Sequence, residues 1–116
     1  MMVTRRRFEQ LAAEALDELP AWVLERLENV EVMVEDEPPP GQHLLGVYEG
    51  VPLTRRGESY TWALPDRITL FQRPIEHAAR MTGERALKRV IADTVIHEVA
   101  HFFGISDERL RELGRD

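Results

Sequence analysis

Residues 97–107 read His-Glu-Val-Ala-His-Phe-Phe-Gly-Ile-Ser-Asp, and this stretch organises the interpretation of the whole chain. Successive residues of a helix advance by about 100°, so His97 and His101, one turn apart, project from the same face and can offer two imidazole nitrogens to one metal ion. Glu98 lies on the flank of that face, where it is better placed to accept a proton from a metal-bound water than to bind the metal. The spacing therefore predicts a metal centre with Glu98 as its general base.

The predicted centre needs a third protein ligand, because hydrolytic zinc sites usually take three and leave the fourth position open. No histidine follows His101, and the chain contains no cysteine. Gly104 can end the helix in the left-handed conformation, which brings Asp107 back towards the imidazoles. Asp107 is therefore the expected third ligand of a Zn²⁺ ion beside the two histidines, and Glu108 is the alternative.

The composition restricts the classes of protein to consider. A length of 116 residues suits a single domain spanning residues 1–116. The formal net charge of -6 and the pI near 5.2 argue against general nucleic-acid binding, because nothing would offset repulsion from phosphates. The lack of cysteine excludes disulfides, and no apolar run has the length of a membrane span or signal peptide. We therefore expect a cytoplasmic protein without nucleic-acid or membrane partners.

Helical spacing of apolar residues predicts five helices. Thr4 and Ser106 are the expected N-caps of the first and last helices, because their hydroxyl groups can accept hydrogen bonds from free backbone N–H groups. Trp22 is expected to face inwards from the second helix, and Leu110 and Leu113 to hold the last helix in place. The predicted helices run from Thr4 to about residue 19, from 21 to 28, from 74 to about 81, from 84 to 103 and from about 107 to 113.

Short runs rich in β-branched residues predict three strands, at residues 30–35, 44–49 and 68–71. Pro38-Pro39-Pro40-Gly41 ends the first strand and is interpreted as a stiff connection rather than a docking segment. Tyr60 and Trp62 lie in a loop-like segment, where they either line a substrate cleft or serve packing. His43 and His77 lie outside the metal motif and are interpreted as surface residues, with a substrate contact as the alternative.

Several blocks of the sequence, in order, resemble those of the very small bacterial zincins, minimal metalloproteases with a metzincin-like motif. The blocks are residues 44–54, 65–68, 74–76 and 97–107, so the resemblance covers most of the chain, from residue 8 to residue 113. It implies an α+β fold in which a small mixed sheet of three to four strands packs against a zinc-binding active-site helix. It also implies a zinc ion held by His97, His101 and Asp107, with Glu98 as the catalytic base.

Two departures from the larger metzincins limit what this resemblance implies. Their third ligand is normally histidine where this chain has Asp107, and their methionine turn has no counterpart after the motif. An aspartate partly neutralises the ion, which should weaken its effect on a bound water relative to three neutral imidazoles. Activity could therefore be low.

Three hypotheses of function follow. The first is a zinc-dependent peptide hydrolase acting on a peptide or protein substrate, which strand residues 44–48 would hold by backbone pairing. The second is a zinc-stabilised interaction module with little turnover, and the third is a structural domain whose histidines bind no metal. For the hydrolase, the residue types that could stabilise an oxyanion are Tyr48, Tyr60, Arg67 and His77.

Overall fold

The computed structural model describes residues 2–55, 66–80 and 83–113, and within them the fold is α+β. Tyr60, Trp62 and the expected end of the third helix near Met81 lie outside the described residues. The helices are α1 (Arg5–Asp17), α2 (Ala21–Arg26), α3 (Gln72–Ala79), α4 (Glu84–Phe102) and α5 (Asp107–Glu112). The strands are β1 (Val30–Glu35), β2 (Gly46–Glu49) and β3 (Asp66–Phe71), and a 3-10 turn spans Leu53–Arg55.

The three strands form one mixed sheet in the order β1-β3-β2, as the resemblance implied. Strand β3 is central, pairs in parallel with β1 and is antiparallel to β2. Its apolar side chains Ile68 and Leu70 are fully buried, as expected for a strand that has neighbours on both sides. Strand β2 has only β3 as a neighbour among the described strands, so one of its edges is available to other groups.

Helix α4 is the element on which the other parts pack. It contacts α1, α3, β2 and β3. Its buried stripe of Leu87, Ile91, Val95 and Val99 recurs every four residues, which is the spacing of one helix face. The face of α1 that packs on α4 contributes Phe8 and Leu11 to the same core. The core therefore holds α4 between a helix and the sheet, and the orientation of α4 determines where His97 and His101 point.

Both predicted N-caps are confirmed. The Thr4 hydroxyl accepts a hydrogen bond of 3.0 Å from the Arg7 N–H, and the Ser106 hydroxyl accepts one of 3.1 Å from the Arg109 N–H. Each bond satisfies a backbone donor that a helix start leaves free. The second cap matters for the site, because it starts α5 at the residue after Ser106.

Two of the packing predictions were wrong. Trp22 is 63% exposed, because the inward position of the short helix α2 is taken by its neighbour Val23. The Trp22 indole instead meets the Phe103 ring edge to face, with the centroids 5.8 Å apart. Leu113 is 56% exposed, since α5 ends one residue earlier and its single buried anchor is Leu110.

Element boundaries differ from the prediction mainly around β3. That strand begins at Asp66 rather than at residue 68, because β1 pairs with it along its whole length. Helix α3 starts directly after β3, at Gln72, so Pro74 lies inside its first turn. Strand β2 begins at Gly46 rather than at residue 44. Among the described residues, no helix is both long and apolar enough to cross a membrane.

Candidate metal centre

The two histidines of the motif lie side by side on the last turns of α4, with ring centroids 4.7 Å apart. Asp107 lies opposite them, and its Oδ1 atom is 2.9 Å from Nε2 of His97 and 2.9 Å from Nε2 of His101. The imidazole side chains are 27% and 25% exposed, so the site opens to solvent. Three donor atoms on two helices therefore converge on one accessible point.

The turn after α4 brings Asp107 to this position. The Gly104 N–H donates to the His101 carbonyl and the Ile105 N–H donates to the Ala100 carbonyl, both at 2.9 Å. This pair of bonds is a Schellman motif, which reverses the chain at a residue in the left-handed region. Gly104 has φ = +88°, so the predicted helix stop is confirmed. The chain leaves the turn through Ser106, and Asp107 is the first residue of α5.

Gly104 is required for space as well as for conformation. A Cβ added at this position would overlap the side chain of Thr54, which lies in the 3-10 turn at Leu53–Arg55. The segment that follows β2 thus packs directly on the loop between α4 and α5. This contact helps to fix the distance between Asp107 and the histidines.

Glu98 is a buried carboxylate on α4, and only 5% of its surface is exposed. Burial raises the pKa of Glu98 above its usual value, and the charges of His101 and His97 and a hydrogen bond from the Tyr48 backbone only partly offset this. Its Oε1 atom lies 3.4 Å from Nδ1 of His101. A carboxylate whose pKa is raised is a stronger base than one with an ordinary pKa.

Two different groups of three side chains around the histidines could supply the ligand atoms for a metal ion. One is His97, Glu98 and His101, whose ligand atoms all lie within 4.8 Å of one another. The other replaces Glu98 by Asp107, which contacts both Nε2 atoms at hydrogen-bond distance. Glu98 approaches His101 at the other ring nitrogen, Nδ1, and at a longer distance. The second set has the shorter contacts to Nε2, at 2.9 Å, and Glu98 lies beside it.

The environment of Asp107 favours its ionised carboxylate, which is the form that binds a metal ion. Burial alone would raise the pKa of Asp107, but hydrogen bonds from His101 and His97 outweigh it, and the pKa lies below its usual value. Glu108, the alternative third ligand, is exposed on α5 and is not part of either donor set. Two imidazole nitrogens and one carboxylate oxygen form a donor set that zinc accepts in hydrolytic sites.

A cleft of about 610 Å³ opens beside these residues, between α4 and β2. His43 lines this cleft, whereas His77 lines a neighbouring cavity and not this one. The described residues that line the cleft are His43, Leu44, Leu45, Gly46, Val47, Tyr48, Ala78, Val90, Asp93, Thr94, His97, Glu98, His101 and Asp107. The predicted strand segment at residues 44–48 thus lies along one wall of the cleft.

The edge of β2 that does not pair with β3 faces Glu98. The Phe71 N–H donates to the Leu45 carbonyl at 2.8 Å, so in the antiparallel register every second residue from Leu45 bonds β3. The backbone groups of Gly46 and Tyr48 therefore point away from β3, consistent with the Tyr48 backbone hydrogen bond to Glu98. Sequence reasoning missed this role of the backbone. The glycine at position 46 of a strand was the available signal, since it often marks close backbone approach.

The residues considered for oxyanion stabilisation do not all reach the cleft. Tyr48 lines it, and its hydroxyl donates a hydrogen bond of 2.7 Å to Oδ2 of Asp66. Arg67 does not line the cleft and instead lies 3.7 Å from the Glu31 carboxylate across the sheet. His77 lines other cavities, and Tyr60 lies outside the described residues. Tyr48 is therefore the described residue of this group that remains at the site.

The chain shares its sequence pattern and its fold with known proteins. The profile of the family described as zincin-like metallopeptidase matches residues 27–115, and the chain belongs to this family. The fold resembles the structure of a conserved hypothetical protein from Thermus thermophilus, with a TM-score of 0.60 and 23% sequence identity. The match covers 97% of this chain and 100% of that one, and at this identity it supports the fold alone. No curated protein sequence gives a significant match.

Family membership agrees with what the site can do. The family is one of metallopeptidases and implies a bound metal, typically zinc. The group of His97, Glu98 and His101 can hold a metal ion. The resemblance noted from the sequence blocks is thereby confirmed at the level of the family.

Proposed function

We propose that this chain is a zinc-dependent peptide hydrolase in which His97, His101 and Asp107 bind the ion and Glu98 is the general base. The observation that carries the proposal is the position of one carboxylate oxygen, Asp107 Oδ1, at 2.9 Å from both Nε2 atoms. Two histidines on one helix face are common, but a third donor that meets both of them across a tight turn is what a metal centre requires.

The distance between Asp107 and each histidine is close to that between two ligands of one small divalent ion. Zinc binds imidazole nitrogen and carboxylate oxygen at about 2.0 to 2.2 Å, so two ligands at a tetrahedral angle lie about 3.3 Å apart. The Asp107 contacts of 2.9 Å need to lengthen only slightly to reach that value. Rotation of the exposed Asp107 side chain can supply this change without moving either helix.

In the proposed reaction Glu98 first accepts a proton and later donates it. A bound zinc ion would lower the pKa of a coordinated water to about 7 and polarise the substrate carbonyl. Glu98 accepts one proton of the attacking water as its oxygen bonds to the carbonyl carbon. When the carbon–nitrogen bond breaks, Glu98 returns this proton to the leaving amine. The raised pKa of the Glu98 carboxyl makes its carboxylate a stronger base for the first transfer.

The edge of β2 that does not pair with β3 is the proposed support for the substrate. The outward backbone groups of Gly46 border the cleft, and an extended peptide can pair with a strand edge of this kind. This pairing would position the scissile carbonyl between β2 and α4, next to Glu98. Backbone pairing does not depend on substrate side chains, so selectivity must come from the other wall of the cleft.

The test compares variants that separate metal binding from turnover. Glu98→Gln is expected to retain the metal content of the wild type and to lose hydrolysis of a peptide library, because the base is removed and the ligands remain. His97→Ala is expected to lose both. Glu108→Gln, an exposed acid of α5, is the matched control and should behave like the wild type.

The same experiment can reject the proposal. If Glu98→Gln and the wild type cleave the library equally, the cleavage belongs to a contaminant. If neither cleaves any peptide and zinc is bound, the chain is a zinc-stabilised module rather than a hydrolase.

A further inference from the structure

The cleft continues beyond the histidines, along α4 towards the start of that helix. The part away from the metal ligands is lined by the apolar groups of Leu45, Ala78 and Val90 and by the side of Thr94. These residues come from α3, α4 and the segment that leads into β2, so the pocket lies between elements that pack on one another. Such a pocket can bury the aliphatic part of a substrate side chain.

Asp93 introduces a charge into this apolar part of the cleft. It lines the cleft from an exposed position on α4, one turn before His97, which corresponds to about 6 Å along the helix axis. Among the described residues, no hydrogen bond or ion pair engages its carboxylate. None of the described residues that line the cleft is a lysine or arginine. Asp93 is therefore a negative group without a direct hydrogen-bond or ion-pair partner among the described residues.

We propose that Asp93 determines specificity and that the preferred substrates are peptides with a lysine or arginine within two residues of the scissile bond. The proposal rests on the proposed hydrolase function, whose site it extends. A long basic side chain combines an aliphatic stem with a terminal cation, and the pocket offers apolar walls with one carboxylate at the edge.

The distances agree with this assignment. An extended peptide advances by about 3.3 Å per residue, so two residues of a peptide that runs along α4 cover about the 6 Å between Asp93 and His97. Val90 and Leu45 line the same cleft as Asp93, so an aliphatic stem can pack on these apolar residues while its terminal cation pairs with the Asp93 carboxylate. The two other acids that line the cleft, Glu98 and Asp107, have proposed roles in proton transfer and metal binding, and Asp93 has neither role.

The test uses peptides that differ at a single position near the cleavage site, with lysine, norleucine or glutamate there. The wild type should have the highest kcat/KM for lysine, and Asp93→Asn should reduce the preference for lysine over norleucine by about two- to fivefold. Asp93→Lys should shift the ratio of lysine to glutamate by about tenfold in favour of glutamate. Higher salt should weaken the wild-type preference, because the pair lies near solvent.

The matched control is Asp17→Asn, which removes one exposed acid from the end of α1 and away from the cleft. It should leave the preference unchanged. If Asp93→Lys keeps the wild-type ratio while Glu98→Gln abolishes cleavage, the specificity proposal is wrong and the hydrolase function stands.

A second measurement makes the two proposals separable if no peptide is cleaved. Binding of the same peptides to the zinc-loaded Glu98→Gln variant is measured with and without Asp93→Lys. A preference for lysine that reverses with Asp93→Lys supports the role of Asp93 even without turnover. Equal binding of all three peptides to both proteins overturns it.

Discussion

Strand β2 and helix α4 meet at Gly46 and Thr94, where a Cβ added to the glycine would lie 2.9 Å from Cγ2 of Thr94. The same atom would lie 3.0 Å from the Thr69 carbonyl oxygen and 3.5 Å from Cγ of Glu98. Any side chain at position 46 would therefore push the strand away from the helix. The approach of the β2 edge to Glu98, and hence the width of the cleft, depends on this glycine.

Gly46→Ala is expected to destabilise the protein by about 1 to 3 kcal/mol, because it overpacks the contact between β2 and α4. Chemical denaturation measures the loss. Thr94→Ser removes the opposing methyl group and keeps the hydroxyl that donates to the Val90 carbonyl at 2.8 Å. Gly46→Ala should reduce the free energy of unfolding by less in the Thr94→Ser background than in the wild type. Some of the loss should remain, because the Thr69 carbonyl oxygen also crowds the added Cβ. An equal cost in both backgrounds would contradict this account of the contact.

Asp107→Ala is expected to weaken zinc binding by at least about tenfold, since even outer partners of metal ligands contribute that much. The reason is the loss of the oxygen that meets both Nε2 atoms. Competition with a chromophoric chelator measures the affinity. Glu108→Ala is the control and should bind as the wild type does. If the two variants exchange these results, Glu108 is the third ligand.

Gly104→Ala should impair the metal centre more than Gly41→Ala does. Both glycines have positive φ, +88° and +85°, so alanine is strained at each by about 1 to 2 kcal/mol. A Cβ at position 41 meets nothing within 4 Å, whereas at position 104 it would overlap Thr54. Thermal unfolding and zinc titration should therefore show a larger stability loss and a lower affinity for Gly104→Ala. Equal effects of the two variants would mean that the contact with Thr54 has no role.

Glu98 should make the stability of the metal-free protein depend on pH. Its pKa is raised in the folded state by burial, so the folded protein holds this proton more tightly than the unfolded chain does. The stabilisation from the protonated form is complete below the unfolded pKa and is lost as the pH rises through the folded pKa. In chelator-treated samples Glu98→Gln should therefore gain stability over the wild type as the pH rises. Denaturation curves that keep a constant difference between about pH 4 and pH 8 would exclude this effect.

Local features of the sequence predicted much of the structure. The span of β1 agrees with its prediction, both N-caps are confirmed, and α4 ends one residue before the expected position. These features depend on neighbours within a few residues, such as the hydroxyl of Thr4 and the N–H of Arg7. Gly104 belongs to the same group, because a left-handed residue after an apolar helical run is a local requirement.

The errors arise where burial depends on distant parts of the chain. Trp22 was expected inside, but α2 has only one inward position, and Val23 occupies it. Leu113 was expected to anchor α5, yet more than half of its surface stays exposed. Periodicity shows which residues share a face, but it does not show how wide a surface another element will cover.

The sequence by itself determined that His97 and His101 share a helix face and that a carboxylate follows a glycine turn, because helix periodicity and the left-handed stop are properties of short segments. The tertiary structure decided what surrounds them. Strand β2 is brought against α4 by pairing with β3, and this contact buries Glu98, raises its pKa and forms the cleft. Desolvation of a carboxylate depends on atoms far away in the chain, so no local pattern specifies it.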